Sequence, residues 1–177
     1  LTHHPRYEFP GIQVLNASLR AGDTDSSRDV LPFAEETLEL LGPRKVRYAR
    51  FDKGFGGEDF YAFWETRHIG YVGKLKWTLH LQEQVQACEH WTRFVDDEWI
   101  IEGLAPGYQA TSWTKIRRVA IIWKMPRFDD DQSQLELDLL WQYEAMVTIE
   151  DWNALDVWRF YNVAVWRTTS RKLRTAT

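Results

Sequence analysis

Val46-Arg47-Tyr48-Ala49-Arg50-Phe51-Asp52-Lys53-Gly54-Phe55-Gly56-Gly57 is the stretch whose reading decides the fold. Val46 and Tyr48 fall on one face of an extended chain and Ala49 and Phe51 on the other, which predicts a strand over 45–51 with both faces partly buried. Gly54, Gly56 and Gly57 let the backbone turn sharply after it. A helix is expected over 58–67 and a return strand over 69–75. Strand, helix, strand in that order favours a parallel pair joined by a right-handed crossover. Asp52 then tips an inner strand at its carboxyl end, where open α/β sheets bind ligands, and is positioned to hold a metal. Taken locally, the plainer role of capping the next helix or accepting turn hydrogen bonds is the commoner one for such an Asp.

Upstream, residues 12–19 read as a strand of a hairpin entered through Pro10-Gly11. Ser26 and Asp29 resemble a capping box before a helix that carries Leu31, Ala34, Leu38 and Leu41 on one face and stops at Gly42-Pro43. Downstream, residues 79–88 read as a helix, and 108–113, 115–124 and 135–149 as an antiparallel group of strands. Residues 126–134, with Asp129-Asp130-Asp131, read as a charged loop, and a last helix is expected from about Asp151 to about Tyr161.

The 177 residues fit one domain, and 44% hydrophobic with 27% charged residues is the balance of a chain with a packed core, so broad disorder is excluded. A net charge of −4 argues against a free-standing electrostatic nucleic-acid binder. The lone Cys88 rules out an internal disulfide and a multi-cysteine zinc site, which suits a reducing cytoplasm. No stretch has the roughly 18 apolar residues of a membrane span. The first residue is Leu1 rather than Met, so the chain is expected to begin inside a longer reading frame or to have had leading residues removed.

The stretch around Asp52 resembles the second catalytic Asp motif of DDE-type transposases of bacterial insertion sequences, in which an Arg and a small residue precede Asp, a variable residue, Gly and Phe. Arg47, Ala49, Arg50 and Asp52-Lys53-Gly54-Phe55 carry that likeness. The family's following helix and Gly-Tyr-Val-Lys-like strand are similar to Phe60-Tyr61-Ala62-Phe63-Trp64-Glu65 and Gly70-Tyr71-Val72-Gly73-Lys74-Leu75-Lys76. Upstream, His4-Pro5 and Leu19-Arg20-Ala21-Gly22-Asp23 match the family's His-Pro entry and Leu-Arg-Pro-Gly-Asn loop, so the likeness spans residues 1–77.

The resemblance implies an incomplete ribonuclease-H-like α/β core: a mixed sheet with flanking helices and a strand-rich insertion. In such cores two Asp and one Glu hold two Mg²⁺ ions that activate water or a DNA 3′-hydroxyl for in-line phosphoryl transfer. It implies Asp52 as catalytic residue and Mg²⁺ ligand, terminal inverted repeats of DNA as partner, a homo-oligomeric intact parent and a bacterial cytoplasm, nucleoid-associated when bound.

Two of the three carboxylates are missing from the pattern. The first would precede the part resembling residues 1–5, and the earliest acid, Glu8, has the wrong neighbours. The third follows a Tyr and an Arg on a late helix; Tyr161-Asn162 starts that pattern, the sequence then departs from it, and no Asp or Glu follows Asp156. Restoring one G near the Asn162 codon converts a permitted back-translation of the next residues into Gly-Arg-Gly-Met-Glu-Asn-Asp-Ile-Lys-Glu, the family's Arg, Glu and Ile-Lys-Glu order. The expected organisation is therefore a partial DDE catalytic domain over 1–162 and a frameshifted, disordered Thr/Arg-rich tail over 163–177. Such a chain is expected to be inactive alone. The alternatives are a non-catalytic module binding DNA or the parent transposase, and a metal nuclease with a similar core.

Lys74, Lys76, Arg117 and Arg118 are candidate phosphate contacts, against the plainer reading of solvated strand ends. Trp91, Trp99 and Trp113 fall where relatives hold a DNA end, though core packing is the commoner role. His3-His4 and Asp129-Asp130-Asp131 read as solvent-facing, and Glu144 as a poor substitute for the third ligand because it sits on a strand.

Overall fold

A computed structural model describes residues 15–18, 29–95, 99–126 and 142–162. The chain divides into two units, 1–45 and 46–177. Among the described residues it is an α/β protein with a mixed seven-stranded sheet and four helices.

In the first unit α1 spans Val30–Leu41, with Val30 and Ala34 buried and Leu31, Leu38 and Leu41 half-buried. Asp29 is its N-cap at φ 58° and makes no side-chain cap bond, and the Ser26 half of the expected capping box lies outside the described residues. Gly42, at φ 59°, ends the helix in a conformation that costs a glycine little, and its N–H donates to the Glu39 carbonyl at 2.9 Å. Residues 15–18 form neither helix nor strand; the rest of the expected hairpin, Ser26, His3-His4 and Asp129-Asp130-Asp131 lie outside the described residues, as does 163–177.

In the second unit β1 (Tyr48–Phe51), α2 (Glu58–Thr66) and β2 (Gly70–Lys74) form the expected strand, helix, strand unit, and β1 and β2 are parallel. Gly57, at φ 126°, supplies the turn into α2, whose first-turn acids Glu58 and Asp59 suit the positive helix end. Then follow α3 (Leu79–Gln86), β3 (Thr92–Val95), β4 (Trp99–Leu104), β5 (Gly107–Tyr108), β6 (Arg117–Pro126), β7 (Gln142–Thr148) and α4 (154–162). The strand order is β1-β2-β7-β6-β4-β3, with β5 on the end of β6, and every pairing after β1·β2 is antiparallel.

Alternation along these strands divides the core into two layers. Val72, Ile101, Ala120, Ile122 and Met146 pack against Ala154, Leu155, Val157 and Trp158 of α4. Tyr71, Val119, Ile121 and Val147 face the other way, where Tyr61 of α2 stacks on Tyr71 at 5.6 Å and 13°. Each fully buried aliphatic side chain contributes roughly 1.5–3 kcal/mol. Gly73 admits no side chain, because a Cβ there would lie 1.9 Å from the Phe51 ring.

Three expectations need correction. β1 ends the strand order among the described residues, so Asp52 does not tip an inner strand there. The apolar residues that suggested one report covered faces rather than a paired edge: Phe51 packs on Phe60 and Tyr61, and Tyr48 on Trp152 and Phe160. The strand expected over 108–113 is only β5, after which the chain turns. β3 and β4 were not anticipated.

Candidate functional site

β1 ends one residue before Asp52, and the turn that follows is closed by Phe55 N–H donating to the Asp52 carbonyl at 2.9 Å. The Asp52 carboxylate is exposed, and its Oδ1 accepts the Lys53 backbone N–H at 2.7 Å. Part of its hydrogen-bonding capacity thus serves its own turn.

Around it, on the α4 side of the sheet, the fold assembles groups far apart in sequence. Arg50 donates to the Tyr161 carbonyl near the end of α4 and lies 5.5 Å from that ring's centre. Lys74 Nζ stands 5.0 Å from the same ring and 3.3 Å from Glu144 Oε2. The Tyr161 phenol is pushed above its ordinary pKa, first by burial and then by the charges of Asp52 and Glu144, while Arg50 acts in the opposite direction. Both carboxylates therefore act on one phenol.

Glu144 is held from three sides. Lys124 pairs with its Oε1 at 2.5 Å, Lys74 with Oε2 at 3.3 Å, and Trp158 Nε1 reaches Oε1 at 3.4 Å. Burial pushes the Glu144 pKa up, but Lys124 and then Lys74 more than reverse this, so it stays below the ordinary carboxylate range. Lys124 itself lies 5.0 Å from the Trp99 ring and 5.3 Å from the Trp158 ring, within the reach of cation–π attraction.

A crevice of about 370 Å³ opens beside this cluster, lined by Lys53, Lys74, Lys76, Trp77, Tyr143 and Glu144 among others. Two of its lining residues, Trp77 and Tyr143, stack at 4.8 Å, and Tyr143 also stacks on Trp123 at 5.4 Å. Another hollow, of about 430 Å³ along residues 87–90 and 104–106, shares no lining residue with it.

The four expected phosphate contacts do not act together. Lys74 and Lys76 line the crevice. Arg118 is engaged at the start of β6, where it donates to the Trp152 carbonyl at 3.2 Å and pairs with Asp151 at 3.0 Å. Arg117 must be withdrawn as a surface contact: it is 3% exposed, and its guanidinium binds Glu58 at 2.7 Å and Glu65 at 2.8 Å. Trp113 is buried between Tyr61 and Tyr108, Trp99 lies beside Lys124, and Trp91 meets Trp123 edge-on. Lys53, Trp77, Tyr143 and Lys124, and Glu144 as the residue that gathers the lysines, were not anticipated; their convergence comes from strand register, for which no local signal exists.

Among the described residues no three His, Cys, Asp or Glu side chains converge on a common point. Asp52 offers one carboxylate and Glu144 is committed to two lysines, so these residues do not by themselves fit the Mg²⁺ pair that the resemblance implies. No helix among them is long and apolar enough to cross a membrane. No family model matches the chain, and no curated protein matches it.

Proposed function

We propose that the chain belongs to the catalytic core of a DDE-type insertion-sequence transposase, a ribonuclease-H-like domain of the bacterial cytoplasm, with Asp52 as its Mg²⁺ ligand. The observation that carries this reading is convergence. The tip of β1 and the end of α4 meet where Arg50, two residues before Asp52, donates to the Tyr161 carbonyl. In the family pattern the second carboxylate tips such a strand, and the third follows a Tyr on the late helix by a few residues. The sequence order of Asp52, the glycine turn, α2 and β2 supports the same reading.

Metal-dependent phosphoryl transfer needs carboxylates from more than one element, because one monodentate acid cannot hold and orient a pair of Mg²⁺ ions. The chain alone is therefore expected to show no Mg²⁺-dependent nicking of DNA. Completing its reading frame from the flanking gene sequence should create it, and Asp52→Ala should then lower the rate by about 10³ or more, the equivalent of several kcal/mol of lost metal stabilisation. Nicking that survives Asp52→Ala, or flanking DNA without inverted repeats, would overturn the assignment.

A second reading is a non-catalytic module that binds DNA or the parent transposase. It draws support from the Lys53 N–H bond, which gives Asp52 an ordinary turn role. A frame-completed protein that binds DNA but never nicks it would favour this one.

A further inference from the structure

The charges around Glu144 do not balance, and the imbalance faces the crevice. Lys124 is the inner partner: its side chain is 13% exposed, and its 2.5 Å contact is the shorter one. Lys74 is the outer partner, at 3.3 Å and 31% exposed. One carboxylate between two ammonium groups leaves one positive charge over, and geometry assigns it to Lys74. Among the described residues, Lys53 and Lys76 line the same crevice and Arg50 stands nearby on Tyr161, against the acids Asp52 and Glu144 and a third, Glu102, whose charge reaches Tyr143. On a chain of net charge −4 this is a local excess of the opposite sign.

We propose that this crevice is a phosphate-binding site for a DNA strand, that Lys74 is its contacting cation, and that Lys124 makes it so by neutralising Glu144. This rests on the reading of the chain as part of a DNA-acting core and adds the residues that would hold the strand beside Asp52. A cleft of about 370 Å³ is in the roughly 300–1,000 Å³ range of small-ligand sites, enough for a sugar-phosphate unit against the Tyr143 wall. Glu144 acts as a positioning residue: it fixes where the Lys74 ammonium stands without touching the strand. Lys124 touches no ligand either, and its effect is electrostatic.

The experiment is fluorescence anisotropy of a labelled DNA duplex in EDTA, titrated with the full chain over a series of salt concentrations. Each phosphate neutralised contributes about 0.9 to the slope of log affinity against log salt, so Lys74→Ala should reduce that slope by about one. Lys124→Ala should reduce it similarly, because Lys74 then becomes the sole counterion of Glu144. Lys124→Ala with Glu144→Gln should restore it, because Lys74 is again in surplus; a merely structural role for Lys124 would leave the slope of the folded protein unchanged. Lys124→Gln gives the same test where the alanine variant fails to fold. A slope indifferent to Lys74→Ala, a double variant that does not recover, or a chain that fails to bind the duplex at the lowest salt would overturn the proposal. Those results are independent of Asp52-dependent nicking, so the site can fall while the transposase assignment stands, and the reverse.

Discussion

Arg117 of β6 and Lys74 of β2 both stand on inner strands of the same sheet and both bind glutamates, yet their surroundings divide them into opposite kinds of residue. On the α2 side, Arg117 meets two acids: Nη1 donates to Glu58 Oε2 at 2.7 Å, Nε to Glu65 Oε1 at 2.8 Å, and the guanidinium lies between the Tyr61 and Trp113 rings. Thr114 and Tyr71 hydrogen-bond the same acids. Lys115 adds a second cation at Glu65, so two acids meet two cations there, whereas on the α4 side one acid meets two lysines and the outer lysine opens on a crevice. A closed network in which charge is matched contributes structure, whereas an open one with charge to spare can receive a ligand.

The strongest way to break this comparison is Arg117→Ala. It leaves Glu65 with only the exposed Lys115 and the Tyr71 hydroxyl, beside Glu58, and removing one member of a buried pair costs about 3–5 kcal/mol. Urea unfolding should register that loss, while the salt slope of DNA binding stays unchanged in the folded protein. A slope that fell with Arg117→Ala would return the residue to the DNA surface.

On the open side, Glu144→Gln should cost less, about 1.5–3 kcal/mol, the usual range for hydrogen bonds to a charged group. Lys74 can turn to solvent when its partner goes, and only Lys124 is left in partly buried surroundings. Equal losses for Glu144→Gln and Arg117→Ala by urea unfolding would mean that both networks are closed.

Acid tests the α2 side more gently, together with Glu144, whose pKa is also lowered. The Arg117 guanidinium, then Thr114, hold the Glu58 pKa at about 2, well below its ordinary 4.5. Burial pushes Glu65 up, but Arg117, Lys115 and Tyr71 reverse this and leave it lowered. A carboxylate with a depressed folded pKa stabilises the fold in full above its unfolded value and ceases to do so as pH falls through the folded one. Stability should therefore decline from about pH 4.5 towards about pH 2. Arg117→Ala should flatten that decline, as read from urea midpoints against pH; an unchanged decline would place the acid-sensitive groups elsewhere.

Sequence carried the β1, α2, β2 unit because each step leaves a local mark: alternation before Asp52, glycines after it, then an apolar helix period. The edge position of β1 left none, since burial of a strand's faces and pairing of its edges are separate properties and only the first is written in residue type. β3 was hidden for a related reason: Thr92, Arg93 and Val95 are exposed on a strand that ends the order among the described residues, so no alternation survives to be read. For the site, Lys74 and Lys76 were visible as basic residues at a strand end. That Arg117 is buried and Glu144 is shared depends on partners 52 to 70 residues away, or 20 in the case of Lys124, brought close by register.

The smallest effect belongs to Lys115, which shares an acid with Arg117. Its Nζ lies 2.8 Å from Glu65 Oε2, as close as the Arg117 contact to the other oxygen, but its side chain is 55% exposed. Solvent screens its charge, and holding a long flexible chain in place costs entropy, so exposed pairs contribute about 0–1 kcal/mol. Lys115→Ala should therefore fall in that range by urea unfolding, several-fold below Arg117→Ala, although both remove a cation from Glu65. If the two losses came out equal, separation distance rather than burial would be setting the strength of these pairs. The division between a closed and an open network would then lose its physical basis.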